Sequence, residues 1–516
     1  MLSDRKPEVP DQAVNASFQK GISFATWWSG QYSEPGSDVS LEILADTGTE
    51  WISLIVTAYQ DTHASTIIDY RSESTPTDED LIHAIETAHG LGLSVMLKPH
   101  LDLREESTTD YWRGHIGDNF TTESQWQDWF VAYRGFIEHY AELAQQYGVE
   151  QFCAGTELLG TTHREADWRE VVAGVRAVYS GPVTYASLHG GEEVSIMWWD
   201  AVDFIGVDSY YPLNENLALH PTIEELEAGW ADAKAILSNL SATHGKQIVL
   251  TEIGYRSQHG CSFHPWDSDS VSPLDMEEQA NAYEAAFRQL AGESWLGGMF
   301  WWTWLADRFE SGSCDDGFSP YDKPAERVLR AWYGGTSLVS GKVVLPDYEN
   351  SLQIYDDSMI AGWEDWSWGI DNEMSSGAQV YSGSQALFVT LDPWGALSFN
   401  HAVFSTGQYK WFEFYILTDT SETPALQVFF ESPDGVRLPA APIDDCRHIE
   451  SSTDTGAWRH VRIPVAVLNP GGNELARVYI QSILPETSVS LWIDDLRFLG
   501  AKEATDYLYL PLILAE

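Results

Sequence analysis

Basic residues are scarce in this sequence for its length: 28 Lys and Arg stand against 78 Asp and Glu, a net charge of −50. A surface of that sign repels phosphate backbones and anionic lipid, which argues against nucleic acid and membrane as partners. The acidic residues are spread rather than gathered into a block, so they read as solvated surface suited to a neutral substrate. Cysteine is nearly absent, at four in 516 residues, and no C-x-x-C or H-E-x-x-H occurs. That leaves no disulfide framework, no thioredoxin-like centre and no zinc-protease helix. No apolar run reaches the ~20 residues a bilayer span needs, and the closing "YLYLPLILAE" is too short. No G-x-G-x-x-G follows the first apolar run, which speaks against a dinucleotide fold. The opening "MLSDRKPEVPDQAVNASFQK" lacks the apolar stretch of a signal peptide and reads as the lead of a mature, extracytoplasmic chain carrying an added Met.

Aromatic residues are plentiful: 13% of the chain, with 23 Trp and 23 Tyr. They serve equally well to fill a large core or to stack on the C–H faces of sugar rings. The length predicts two or three domains. From Gly21 to Gly335, eight near-continuous apolar runs recur: "GISFATWW" (21–28), "WISLIVTAY" (51–59), "LSVMLKPH" (93–100), "EQFCAGTE" (150–157), "PVTYASLH" (182–189), "DFIGVDSYY" (203–211), "QIVLTEIGY" (247–255) and "GGMFWWTW" (297–304). Strands buried on both faces look like this. Helical patterns over 78–92, 126–148, 222–245 and 276–292 separate several of them, and some end at Gly. Eight β/α repeats in about 300 residues predict a (β/α)8 barrel.

After "AWYGG" (331–335) the texture changes. Residues 336–346 read as a linker, and 347–500 hold short alternating segments separated by turn residues, such as "KWFEFYIL" (410–417) and "ARVYIQSI" (476–483). The expectation is an all-β jelly-roll sandwich, followed by a tail over 501–516.

In a (β/α)8 barrel the C-terminal ends of the strands carry the chemistry. Two runs end on glutamate at matching depth, Glu157 after the fourth and Glu252 after the seventh. A pair of carboxylates facing each other across a barrel mouth is what glycoside hydrolysis requires: an acid for the departing oxygen and a carboxylate toward the anomeric carbon. The competing reading is two glutamates held in structural ion pairs.

Residues 20–333 resemble the clan A glycoside hydrolases, and within them family 113, whose known members are mainly β-1,4-mannanases. The likeness is carried by "GISFATWW", "VMLKPHLD" (95–102), "YWRG" (111–114), "FCAGTEL" (152–158), "LTEIGY" (250–255) and "MFWWTW" (299–304). It implies a retaining enzyme acting on polysaccharide or oligosaccharide as a monomer, with Glu157 as acid/base, Glu252 as nucleophile, and no metal or cofactor for catalysis. Most clan members place Asn before the acid/base; Thr156 stands here, which leaves open the group that contacts the sugar 2-hydroxyl and hence mannose over glucose. Tyr210 is placed like the clan tyrosine that hydrogen-bonds the nucleophile. His100 and Arg113 are expected to line the cleft, with Asp102 and Trp112 as weaker candidates. Trp302 and Trp304, two apart, are expected to share a face, with one of them supplying a floor for the sugar. Trp28 reads either as a stacking ring or as filling for the barrel bottom, and His189 as a subsite residue or a plain loop histidine. Other retaining β-glycosidase activities (glucan, galactan, exo-β-mannosidase) and a non-catalytic carbohydrate-binding protein remain alternatives.

Cys261 and Cys314 fall in neighbouring loops, so a disulfide between them is expected to brace the cleft rim. The C-terminal domain resembles a jelly-roll carbohydrate-binding module through "GWEDWSWG" (362–369) and "LWIDDLRFL" (491–499), which makes Trp366, Trp368 and Trp394 candidate sugar platforms. Asp494 and Asp495 are candidates for a structural calcium site.

Overall fold

Each of the eight apolar runs becomes a strand: β1 (Gln19–Ala25), β2 (Trp51–Gln60), β3 (Ser94–Leu103), β4 (Gln151–Thr156), β5 (Val183–Leu188), β6 (Ile205–Asp208), β7 (Ile248–Ile253) and β8 (Leu296–Leu305). They pair in parallel, each with the next, and β8 closes on β1. A computed structural model describes residues 18–217, 220–307, 311–312, 315–335, 351–418, 425–443, 458–469 and 471–500. The chain divides into two units, Met1–Gly341 and Lys342–Glu516. Of the lead expected over 1–20, residues 1–17 lie outside the described residues while Gln19 and Lys20 already belong to β1; the linker, the tail, Cys314 and Cys446 also lie outside them.

Helices α1 (Pro35–Asp46), α2 (Asp78–Gly90), α3 (Glu123–Gln146), α4 (Glu165–Val178), α5 (Glu192–Ser195), α6 (Ile223–His244), α7 (Met276–Leu290) and α8 (Pro324–Tyr333) alternate with the strands. Their boundaries are chemically marked. Thr77, Thr122 and Thr222 accept from the backbone of the residue three ahead, in capping boxes closed by Asp80, Gln125 and Glu225. Gly245 and Gly334 end α6 and α8 with φ of 63° and 81°, a conformation that Gly adopts without a Cβ clash. The sequence patterns had picked out α2, α3, α6 and α7; α1, α4, α5 and α8 are additional. α4 buries Trp168, Val171, Val172 and Val175 on one face and starts without a side-chain cap. Among the described residues no helix is long and apolar enough to cross a membrane.

The second unit is antiparallel. Its strands are β9 (Ser351–Tyr355), β10 (Trp363–Asp365), β11 (Trp368–Ser376), β12 (Ala386–Ser405), β13 (Tyr409–Thr418), β14 (Leu426–Glu431), β15 (Arg437–Ile443), β16 (Arg459–Pro464), β17 (Glu474–Ser482) and β18 (Val489–Gly500). The main order is β15-β14-β17-β12-β18-β13-β16, with β10 and β11 on β12 and β9 on β18. β12 pairs with β18 through residues 387–391 and with β17 through 396–405, so one long strand serves two neighbours. Ile354, Leu387, Phe399, Phe412, Val428, Ile480, Ile493 and Phe498 belong to a core of its own. The sandwich-like β domain anticipated after the barrel is therefore present.

Candidate active site

At the end of β4 the backbone turns sharply. Gly155 is hemmed in: a Cβ would meet Trp168, Tyr133 and Tyr185 within 2.9 Å. Glu157, two residues on, has φ 52°, a left-handed conformation unfavourable for a side chain of this kind by about 1 kcal/mol or more. It is held there from both sides, by Glu157 N–H donating to Ala186 O at 2.8 Å and Leu158 N–H donating to Tyr185 OH at 2.8 Å. Burial, then the Asp208 and Glu252 carboxylates, raise the Glu157 pKa well above the usual carboxylate range against the pull of Arg113 and Lys98.

Glu252, in β7, is buried and surrounded by donors. Lys98 Nζ reaches Oε1 at 2.5 Å and Tyr210 OH reaches Oε2 at 2.6 Å. His100 Nε2 lies 3.5 Å from Oε1. Lys98 also donates to both oxygens of Asp208, at 3.0 and 3.2 Å, and Thr251 Oγ1 donates to Asp208 Oδ1 at 2.7 Å. Burial alone would lower Lys98, but Asp208 and Glu252 hold its pKa above the ordinary lysine value, so it stays a cation. Asp208 is pushed up to about 7, by burial first and Glu252 second, against Lys98.

Arg113 links the two glutamates. Its Nη2 lies 2.7 Å from Asp102 Oδ1, its Nη1 donates to His100 Nδ1 at 3.3 Å, and Nη1 is 3.7 Å from Glu157 Oε2. Burial, followed by the Arg113 and Lys98 cations, drives the His100 pKa well below its ordinary value, so the ring is neutral. With Nδ1 accepting from Arg113, its proton sits on Nε2, facing Glu252. Trp302 stacks on His100 with ring centroids 5.9 Å apart and meets Trp27 edge-on at 6.3 Å.

The structure thus brings Glu157, Glu252, Tyr210, His100, Arg113 and Trp302 into one connected group. Thr156 is buried in the adjoining turn, its Oγ1 without a hydrogen-bond partner in the protein. His189 follows β5 and packs against Tyr210, Tyr211 and Trp266, with its pKa lowered to about 4 by burial. Trp28 is 58% exposed, so it does not fill the barrel bottom.

Trp304 is a correction. It does not share the face of Trp302; it is buried in the core, its indole N–H donating to Ser40 Oγ at 3.0 Å and its ring edge-on to Tyr321. The pairing of β8 with β1 shifts between Ile22 and Phe24, where Trp301 and Trp304 are the respective partners. An extra residue in one strand resets which side chains face inward, so counting by twos across it fails. Trp301 also faces the helix layer, stacked on Tyr283 at 3.7 Å.

Lys98 and Asp208 were the functional residues missed. A signal existed: Lys98 sits in mid-strand within "LSVMLKPH", where an unpaired charge is not tolerated and a buried partner is required. Asp208 ends β6 and supplies that partner. Cys261 is a buried free thiol, and Cys314 lies outside the described residues. In the second unit Trp366, Trp368 and Trp394 are 49%, 46% and 51% exposed, so none of the three fills its core. Asp494 accepts from the backbone N–H of Tyr381, Ser382 and Asp495 at 3.0–3.1 Å, and Asp495 accepts from Ser382 Oγ at 3.0 Å, so these acids hold a chain turn together.

The arrangement sets a carboxyl held protonated opposite a carboxylate fixed by a lysine and a phenol. Such a pair delivers a proton at one point and electron density at another. The model of Glycoside Hydrolase Family 113 matches residues 23–323, within the first unit. A solved GH113 β-1,4-mannanase is similar at 30% identity and a TM-score of 0.55, with 62% of this chain and 99% of that chain covered. The β-mannanase AaManA from Alicyclobacillus acidocaldarius, solved in complex with ManMIm, is similar at 30% identity and 0.55, over 63% and 99%. No curated protein matches the chain.

Proposed function

From the premise that this chain belongs to glycoside hydrolase family 113, we propose that it cleaves β-1,4-mannosidic linkages of mannan or manno-oligosaccharides with retention. The observation that carries this is the unequal treatment of two glutamates: burial beside Asp208 and Glu252 raises the Glu157 pKa, while Glu252 accepts from a buried cation and a hydroxyl. In the first step a Glu252 oxygen attacks the anomeric carbon. The glycosidic C–O bond breaks, and the departing oxygen takes the Glu157 proton. Glu252 is now an ester, and Glu157 a carboxylate. In the second step Glu157 takes a proton from water, the water oxygen bonds to the anomeric carbon, and Glu252 leaves as carboxylate.

Asp208 has a defined part in this cycle. When Glu252 becomes a neutral ester, Lys98 loses one of its two buried counter-ions; Asp208, bonded through both oxygens, keeps the lysine paired. Lys98 and Asp208 act through Glu252 and are positioning residues. His100 and Trp302 supply a donor and a flat face beside it, and the unpartnered Thr156 hydroxyl is the candidate contact for the sugar 2-hydroxyl. In the second unit, three exposed tryptophans support a sugar-binding platform, and an extracytoplasmic site of action belongs to the same reading.

The test is hydrolysis of defined β-1,4-manno-oligosaccharides beside cello-oligosaccharides, with the first-formed anomer followed by NMR. Cleavage of the manno-series to the β-anomer supports the reading. Release of the α-anomer refutes the double displacement, and cleavage of the cello-series alone refutes the mannan assignment while sparing the glutamate pair.

A further inference from the structure

On the C-terminal face of the barrel, among the connections that follow β6 and β7, two segments of the first unit converge on the start of α7. Asp275 caps that helix, its Oδ1 accepting from Glu278 N–H at 2.9 Å, which leaves Oδ2 directed elsewhere. Glu278 is nearly fully buried. His259 belongs to the long connection after β7, and His220 lies just ahead of α6. One ligand-capable atom from each of these four residues falls within 4.8 Å of the other three, the sole group of this kind found among the described residues.

The distances are specific. His220 Nδ1 lies 3.0 Å from Asp275 Oδ2, His259 Nδ1 lies 3.5 Å from Glu278 Oε2 and 4.0 Å from Asp275 Oδ2. Tetrahedral coordination with bonds of 2.0–2.1 Å sets ligand atoms about 3.3 Å apart, inside that spread. His259 Nδ1 is buried and makes no hydrogen bond within the protein, an expensive state for a ring nitrogen that has no other use. The remaining valences of the group are already engaged in ways that orient it. Glu278 Oε1 accepts from Ser262 N–H and Oγ–H at 3.1 and 2.6 Å, Oε2 accepts from Gly260 N–H at 2.8 Å, and His259 N–H donates to Pro273 O at 2.8 Å. Ligands held from behind in this way are what metal centres show. Simple His–carboxylate pairing explains the 3.0 Å contact of His220, whereas His259 Nδ1 faces two carboxylates at 3.5 and 4.0 Å with a hydrogen bond to neither.

We propose that His220, His259, Asp275 and Glu278 form a structural site for a divalent cation of the zinc class. Two imidazoles among four ligands select zinc-like ions over calcium or magnesium, which take oxygen. The ion would tie the segment before α6 and the connection after β7 to one helix end. Because Glu252 lies in β7, that tie restrains the chain leading away from the active site without touching it.

The experiment uses the full chain, stripped with EDTA and dialysed, then titrated with ZnCl2 by calorimetry with bound zinc counted by mass spectrometry. His220→Ala and, as a surface-histidine control, His264→Ala are run in parallel. The expected result is one zinc per chain for wild type and His264→Ala, binding weakened about ten-fold or more in His220→Ala, and a zinc-dependent rise in Tm that His220→Ala lacks. His220 is 73% exposed on its side chain, so its removal leaves the fold intact, which equal Tm values in EDTA verify. Absence of stoichiometric zinc uptake, equal uptake by His220→Ala, or an equal Tm rise with CaCl2 overturns the proposal.

Discussion

Buried charge is handled in opposite ways in the two units. At the barrel mouth Glu157, Asp208 and Glu252 share Lys98 and Arg113, an excess of buried acid. In the second unit a single buried acid, Glu413, is shared by His460, Arg462 and Arg497, at 2.9, 2.5 and 2.7 Å. The consequences diverge. Burial and neighbouring carboxylates raise Glu157 and bring Asp208 to about 7. Burial also opposes Glu413 ionisation, yet the His460 hydrogen bond and the two guanidiniums overcome it and hold that group at about 2. Excess acid keeps a proton available for transfer, whereas excess base locks a carboxylate into one state. The first arrangement suits chemistry and the second suits structure.

The strongest way to break this comparison is to neutralise the acids one at a time. Glu157→Gln is expected to lower kcat/KM on manno-oligosaccharides by about 10²–10⁴, while Glu413→Gln leaves turnover of the same soluble substrates unchanged. Comparable losses in both would erase the functional distinction. Stability should respond the other way. Glu413→Gln removes the charge that balances buried His460 and Arg462 and partly exposed Arg497, and is expected to cost about 3–5 kcal/mol by denaturant unfolding of the second unit.

The pH dependence sharpens the contrast because the signs differ. Glu413 titrates lower in the folded state than the ~4.3 of an unfolded Glu. Its contribution of about 3 kcal/mol is therefore present above pH ~4.3 and lost as pH falls through about 2. The gap between wild type and Glu413→Gln should close across that window. Glu157 is shifted upward, so the folded state binds more protons than the unfolded one, and its effect on stability worsens as pH rises above the unfolded value. Glu157→Gln should thus be as stable as wild type near pH 4 and more stable near pH 8, read as Tm. Equal pH profiles for wild type and Glu157→Gln would show that the carboxyl is not held protonated.

Smaller effects probe the supports. Tyr210→Phe removes the 2.6 Å hydrogen bond to Glu252, and a bond to a charged group contributes about 1.5–3 kcal/mol, so kcat/KM should fall about 10- to 100-fold with little change in Tm. Trp366→Ala is expected to weaken retention on insoluble mannan by about three-fold, with hydrolysis of short oligosaccharides unaffected. If it slows those as well, the second unit is not a separate binding surface.

Much of this was legible from the chain. All eight barrel strands were found because strands buried on both faces must be apolar throughout, and such runs are visible without knowing their neighbours. Helices with a Thr or Asp cap and a clear stripe were visible too; α4 has the stripe, in Trp168, Val171, Val172 and Val175, but starts without a side-chain cap and was passed over. Glu157 and Glu252 were picked out from strand-end position, and the structure brings both into one group with Arg113, His100 and Lys98. Trp304 was misplaced because a pairing shift between β8 and β1 depends on two strands 280 residues apart, and no local pattern records it.

By itself, then, the sequence determined the architecture and the positions at which chemistry can occur. Periodicity and strand ends are properties of short segments, and hydrophobic burial reads them directly. The division of labour between the two glutamates was decided only in the tertiary structure. It depends on Lys98, Asp208, Arg113 and Tyr210, which come from four different places in the chain and act over 2.5–3.7 Å. Electrostatic effects of that range depend on distance and burial, and neither exists until the barrel has closed.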